Sequence, residues 1–339
     1  MSHFSQLIQD LDKIALDQLR DSAGGTPLKN LRDEYFKAVP EICVERPRLI
    51  TEYHKDNNLF QKMDNGTLSI LDKAKAYHYV LKNREPIVRH DKGYERVAPG
   101  VALDEFTVHD FSPFAGSTTN KFKGVLLYPE LVALTMWPEL DTVARRRQNP
   151  FQISREDIAS LNYDIFPLWI KHNVLELTRR RLGFDSLELR LLQNIVFYLT
   201  SKPLCISHTI PDFSRAVGEG LDKIIADAQM RREKVADPKK KVFYSAIIEV
   251  LTGIIDYADN LASKAQALAD DPETSPAERG RLLEIAGRYR TVPKNAAETF
   301  KEGLTTVWLC WIALHLENPN VGLSLGRLDQ LLYPLYKKD

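Results

Sequence analysis

Apolar residues recur at spacings of three and four along most of the 339-residue chain, a pattern typical of amphipathic helices. A helix start signal lies at Ser275-Pro276, where an N-cap residue precedes a proline. The helix over 295–316 is apolar almost all round, so we expect it to be buried. The pattern predicts helices over 4–21, 28–38, 68–81, 164–181, 186–200, 238–270 and 295–316, an apolar side over 46–57 and a helix that begins at Pro211.

The periodicity stops between about residues 84 and 123, where glycines and prolines interrupt the chain. Short strands are expected at Pro86–Arg89 and Gly124–Tyr128. Residues 318–327 are predicted to form a loop that leads into a short buried strand, and Leu328–Tyr336 one or two helical turns. An alternating strand–helix pattern is absent, so we predict a mainly α fold with a few short strands.

Lys plus Arg and Asp plus Glu both number 46, so the formal net charge is zero. With 44% hydrophobic residues, this composition excludes a disordered chain and argues against nucleic-acid binding by bulk charge. The N-terminus has no signal-peptide pattern, and the densest apolar run, Val307–Leu314, is too short to span a bilayer. The three cysteines fit free thiols in a reducing compartment, and we expect a soluble, cytoplasmic protein without nucleic-acid or membrane partners.

Candidate chemistry is sparse. Cys205 and His208 could reach one metal, but structural zinc usually needs four ligands and no second pair has suitable spacing, so no metal site is predicted. Cys310 lies in the apolar helix and is expected in the core, whereas Cys43, near charged residues, is expected to be the more exposed thiol. The basic triplets are interpreted as solvated surface: 145–147, 179–181 and 239–241. No nucleophile–base pair or phosphate loop appears, so we assign no catalytic residue.

Several motifs nevertheless occur in a characteristic order. They are Val44–Glu52, Gly124–Glu130, Trp137–Asp141, Ile165–Trp169, His208–Asp212 and Leu323–Gln330, the last followed by Tyr333-Pro334 and Tyr336. Together they resemble the N-terminal portion of a glycyl radical enzyme of the pyruvate formate-lyase-like family. The resemblance implies the helical N-terminal part of a ten-stranded α/β barrel over residues 1–339, with a helical shell over 1–316 and the start of the barrel over 317–339.

The resemblance also implies where substrate would bind. In relatives, the two positions before the Leu-Ser-Leu-Gly-Arg motif contribute to the substrate pocket, and here they are Val321 and Gly322. Ser117, in the long loop, falls near a polar pocket residue of some relatives. The small apolar residues Val321 and Gly322 hint at a pocket that accepts an apolar part of a small-molecule substrate. The sequence from Gly116 to Glu130 favours an arylacetate decarboxylase-like or related lyase subgroup of the family.

The chain also departs from the family pattern. The family needs an organic glycyl radical, which a separate iron–sulfur activating enzyme installs with S-adenosylmethionine, and a cysteine that this radical oxidises. None of the three cysteines falls on the family's cysteine-loop motif, and no glycyl motif is present. We therefore expect no turnover from these 339 residues and no cofactor bound in them. Two alternatives remain: a non-catalytic helical fragment or subunit that binds a second chain completing the barrel, and an unrelated all-helical scaffold.

Overall fold

The computed structural model describes residues 35–89, 114–131, 133–174, 176–177, 180, 209–319 and 322–339. The predicted helices over 4–21 and 186–200 lie outside the described residues, as do Cys205, His208 and Val321. Within the described ranges the chain is mainly helical with two short strands, as predicted.

The N-terminal half of the described chain consists of short elements. Glu41–Cys43 (β1) pairs in parallel with Gly124–Leu126 (β2), with Ile42 opposite Val125. The predicted strand at Gly124 is therefore confirmed, whereas Pro86–Arg89 forms no strand. The helices are α1 (Glu45–Asp56), α2 (Leu59–Asp64), α3 (Ile70–Asn83), α4 (Arg155–Ala159) and α5 (Phe166–Trp169). Two 3₁₀ helices, Ala133–Glu139 and Val143–Arg145, and one π-helical segment, Ser160–Ile165, lie between them.

The C-terminal half contains the longer helices. The predicted helix over 238–270 is confirmed as a 32-residue helix, and the Ser275 start is confirmed by a hydrogen bond from the Glu278 amide to the Ser275 hydroxyl. The elements are α6 (Ser214–Gly218), α7 (Leu221–Lys234), α8 (Pro238–Ala269), α9 (Pro276–Thr291), α10 (Phe300–Glu317) and α11 (Leu328–Lys338).

Two predicted helices differ from the structure for identifiable reasons. The helix expected over 164–181 is not continuous, because α5 ends at Trp169 and a turn follows. The single helix expected from Pro211 is two helices, α6 and α7, because Gly220 between them adopts φ +80°. A helix cannot continue through a residue in that conformation.

Two clusters of buried apolar side chains stabilise the fold. The larger one surrounds α8 and takes residues from α3, α7, α9 and α10, so the predicted burial of α10 is confirmed. The smaller one surrounds Trp169 and takes residues from α1, α3 and the segments between 127 and 166. Helix α3 contributes to both, through Tyr77 and Leu81 on one side and Ala76 and Val80 on the other.

The end of the chain differs from the predicted buried strand. Leu323 forms a single parallel bridge with Thr209, and residues 324–327 are exposed. Helix α11 is longer than the one or two turns expected and begins directly after them. Among the described residues, no helix combines the length and apolarity needed to cross a membrane.

Candidate functional site

The segment 114–119, which carries Ser117, is held by two buried tyrosines. The Tyr289 hydroxyl of α9 accepts a hydrogen bond from the Ala115 amide and donates one to the Ala115 carbonyl, both at 2.7 Å. The same carbonyl accepts a hydrogen bond from Trp308 Nε1 of α10 at 3.0 Å. One backbone unit of the loop is therefore fixed by two different helices.

Ser117 itself lies against α8. Its amide donates to the Tyr257 hydroxyl at 3.3 Å, and that hydroxyl donates to the Ser117 carbonyl at 3.4 Å. Gly116 adopts φ +93°, and a Cβ there would lie 3.1 Å from Leu261 and from Ile312. The chain can follow this path because glycine tolerates the left-handed region and leaves room for those side chains.

Both tyrosines are almost completely buried, and burial raises the pKa of each hydroxyl above its ordinary value. Each therefore stays protonated and can donate and accept at once, as the clamp requires. We define the tyrosine clamp as Tyr257 and Tyr289 with the backbone they hold. It makes the Ser117 loop a rigid extension of α8 and α9.

The clamp leads to a stability prediction. Tyr289→Phe leaves the Ala115 amide and carbonyl without their hydroxyl partner in a buried site, which costs about 1–3 kcal/mol. We expect a lower midpoint in urea unfolding and faster hydrogen exchange of the Ala115 amide. Tyr163→Phe, at a side chain that is 79% exposed, is the matched control and should change neither. Unchanged exchange at Ala115 in Tyr289→Phe would contradict the clamp.

The other predicted pocket residue described here is Gly322. It precedes the bridge that Leu323 forms with Thr209, and the Ser324 amide donates to the Thr209 carbonyl at 3.0 Å. Gly326 follows with φ +69°, and its amide donates to the Ser324 hydroxyl at 3.2 Å. The structure thus fixes Ser117 and Gly322 on separate segments, and Val321 lies outside the described residues.

Beside the Ser117 loop lies a group of buried polar side chains. The Arg84 guanidinium stacks over the Tyr257 ring, 4.9 Å from its centroid, and lies 4.0 Å from the Glu45 carboxylate. Glu45 Oε1 accepts a hydrogen bond from the Glu85 amide at 2.6 Å. The three guanidinium nitrogens of Arg84 have no hydrogen-bond partner among the described residues. Arg84 is therefore stabilised by the nearby charge and the ring rather than by hydrogen bonds.

Cys43 lies near this group of polar side chains, and the prediction that it is exposed is wrong. Its side chain is fully buried, and its thiol donates to Asn120 Oδ1 at 3.2 Å. Burial raises the pKa of the Cys43 thiol, and burial raises that of Cys310 to about 12. The prediction that Cys310 lies in the core is confirmed. Neither thiol has the exposed, electropositive surroundings that favour a thiolate.

Arg46, in the first motif, joins three segments. Its Nε donates to the Leu316 carbonyl at the end of α10 at 2.6 Å, and its Nη atoms donate to the Leu127 carbonyl and to the Glu130 carboxylate. The guanidinium lies over the Tyr128 ring, 4.2 Å from its centroid. Burial by itself lowers the pKa of Arg46, but Glu130 more than offsets this and the pKa is raised. The first two motifs are thus in contact and have a structural role.

Sequence reasoning did not anticipate the contacts of Tyr257, Tyr289 and Trp308 with the loop. Ser117 and Tyr257 are 140 positions apart, and helical periodicity carries no information on such pairs. Among the described residues, no group of three His, Cys, Asp or Glu side chains could hold a metal ion. The described site is a rigid hydroxyl-bearing loop against a helix bundle, without an acid–base pair of its own.

Comparisons with known proteins agree with the motifs. A family model described as Pyruvate formate lyase-like matches residues 23–339. The isethionate sulfite-lyase of Nitratidesulfovibrio vulgaris is 29% identical over 100% of this chain, which covers 39% of that enzyme. The indoleacetate decarboxylase of Tractidigestivibacter scatoligenes is 31% identical over 40% of this chain and 16% of its own length.

Solved structures give the same result. A structure described under 1,2-propanediol dehydration in Roseburia inulinivorans superposes with a TM-score of 0.75 and 26% identity, over 93% of this chain and 35% of that one. The relatives that match most of this chain are longer, and the chain spans between a third and two fifths of their length. The family match over residues 23–339 excludes an unrelated all-helical scaffold. The chain belongs to the pyruvate formate lyase-like family and represents the N-terminal part of a glycyl radical enzyme.

Proposed function

We propose that this chain provides the helical shell and the first part of the barrel of a glycyl radical lyase, dehydratase or decarboxylase that cleaves a small organic substrate. The observation that carries the proposal is the family match over residues 23–339, because the relatives in that family include a sulfite-lyase, dehydratases and a decarboxylase. Residues 1–316 form the shell in this proposal, and residues 317–339 begin the barrel.

Three residues line the substrate pocket in this proposal. Ser117 is half-buried, and its hydroxyl oxygen accepts a hydrogen bond from the Thr119 amide at 3.4 Å. The hydroxyl hydrogen is then the group that Ser117 offers to an oxygen of the substrate. Val321 and Gly322 contribute a small apolar wall. The tyrosine clamp supports this role, because a binding group must be held in place by its surroundings.

Neither cysteine described in this chain is positioned as the cysteine that the family's glycyl radical oxidises. Cys43 lies at the end of β1 and Cys310 lies within α10, whereas the family's reacting cysteine lies on a loop inside the barrel. We therefore assign the radical chemistry to polypeptide that the relatives have and this chain does not cover. An activating enzyme that uses S-adenosylmethionine and an iron–sulfur cluster acts on that polypeptide. Free thiols fit a reducing compartment, which supports a cytoplasmic location.

A second chain that completes the barrel is favoured by the surface at the end of the chain. Ile210, next to the bridge between Thr209 and Leu323, is 68% exposed, and Tyr336 of α11 is 65% exposed. Exposed apolar side chains of this size favour association with another polypeptide. In the absence of that polypeptide, we expect the chain to self-associate at this surface.

The test is anaerobic incubation of the chain with S-adenosylmethionine and a reduced activating enzyme of this family, followed by electron paramagnetic resonance. We expect no glycyl radical from this chain, and a radical doublet would refute the assignment of the reacting groups to other polypeptide. Sedimentation of the same preparation should show self-association that Ile210→Glu reduces. Tyr163→Glu, at an exposed aromatic on the far N-terminal half, is the control and should leave the association unchanged.

A further inference from the structure

The hairpin of α7 and α8 ends in a concentrated positive charge. Only three residues, Val235–Asp237, connect the two helices, so the end of α7 and the beginning of α8 lie side by side. We call residues 230–243 the basic tip. It contains two acidic residues, Glu233 and Asp237, and six basic ones: Arg231, Arg232, Lys234, Lys239, Lys240 and Lys241.

The charges of the basic tip are not neutralised within the described part of the chain. No ion pair there involves any of the six cations, although Arg215 and Lys223 nearby on α6 and α7 are paired with carboxylates. The carboxylate of Asp237 caps α8 by accepting from the Lys239 amide at 2.8 Å, and the two carboxylates of the tip leave it with a formal net charge of +4. The three lysines of the first turn of α8 also oppose the helix dipole. This arrangement costs stability locally, and an anionic partner would remove that cost.

Two exposed apolar side chains lie among these charges. Phe243 is 50% exposed on α8, and Met230 is 44% exposed on α7. Aromatic residues, methionine and arginine are the types enriched in protein–protein interfaces. Two side chains provide too little apolar area to insert a helix into a membrane surface. The chain as a whole has no excess of cations of the kind that favours binding to nucleic acid.

We propose that the basic tip is a docking surface for a protein with an acidic patch. The lysines and arginines steer the encounter and set its orientation, and Phe243 with Met230 provides the desolvated centre. The two helices pack along their length, so the tip is rigid before it binds and loses little conformational freedom. This inference concerns a different face from the pocket and does not depend on the proposed reaction.

The test uses the full chain and a fluorescein-labelled oligoglutamate peptide that contains tryptophan, followed by fluorescence anisotropy. We expect the triple variant K239E/K240E/K241E to weaken binding about tenfold or more, because it reverses the steering charge. Phe243→Ala should weaken binding about threefold, since it removes an apolar contact at the centre. The matched control K55E/K171E/K264E has the same change in net charge at exposed lysines elsewhere and should stay within about twofold.

Two parallel measurements decide between partner classes. Single-stranded oligothymidine and phosphatidylserine vesicles are titrated under the same conditions. Tighter binding of either than of the peptide overturns the proposal, as does an equal loss in the tip and control triples or no peptide binding. Thermal melting of every variant checks that the exposed substitutions leave the fold intact. Peptide binding that depends on the tip and exceeds binding to the other two probes supports it.

Discussion

Arg46→Met should lower the free energy of unfolding by about 3–5 kcal/mol, because it leaves two buried carbonyls and the partly buried Glu130 carboxylate without their partner. Arg46 is 4% exposed, and it satisfies the carbonyls of Leu127 and Leu316 as well as the Glu130 carboxylate. Methionine fills much of the same volume, so the loss reports the charge and the hydrogen bonds rather than a cavity. Urea unfolding measures the effect.

Arg215 offers a matched control for this change. It also contacts two carboxylates, Glu219 and Asp227, but its own side chain is 47% exposed, against 4% for Arg46. Water and salt screen such pairs, so Arg215→Met should leave the unfolding midpoint nearly unchanged. A similar shift for Arg46→Met and Arg215→Met would show that burial of the Arg46 guanidinium contributes nothing to stability.

Gly220→Ala should destabilise the protein by about 3–5 kcal/mol, because it combines backbone strain with overpacking. Gly220 has φ +80°, and a Cβ there would lie 2.4 Å from the Asn295 carbonyl carbon and 2.5 Å from the Lys294 oxygen. Both are backbone atoms, so no side-chain rotation relieves the contact. The Leu221 and Asp222 amides donate to the carbonyls of Pro293 and Lys294, which fixes the two segments together. Thermal and urea unfolding give the size of the loss.

Gly287→Ala is the control with the opposite sign. Gly287 lies within α9, and no heavy atom outside its own helix lies within 4 Å of the added Cβ. Alanine in a helix interior is favoured over glycine by about 0.5–1 kcal/mol, so this variant should be slightly more stable. Equal effects of the two substitutions would contradict the packing described at Gly220.

The elements that the sequence predicted well are those determined by neighbouring residues. Helix α8 follows a long apolar periodicity, and the start of α9 follows the Ser275-Pro276 signal. The strand at Gly124 was predicted from a short apolar run after a glycine. Each of these depends on residues a few positions apart, which a single sequence contains.

The errors concern contacts between distant residues. Cys43 was predicted to be exposed because Glu45 and Arg46 follow it, but both of those charges are themselves buried and paired across the fold. Arg46 contacts Leu316, 270 positions away, and no periodicity indicates such a pair. The family motifs include both Arg46 and Glu130 but do not indicate that these two residues are in contact. Ser117, Val321 and Gly322 remain predictions as pocket residues.

Helix α3 packs into both buried clusters, with Tyr77 and Leu81 facing one and Ala76 and Val80 facing the other. Because α3 packs against both clusters, unfolding of either cluster exposes part of this helix. The unfolding of the two clusters is therefore coupled. The two halves should therefore lose structure in one calorimetric transition despite their different architecture. A destabilising substitution near Trp169 should then also lower the unfolding temperature of the segment that carries Ser117.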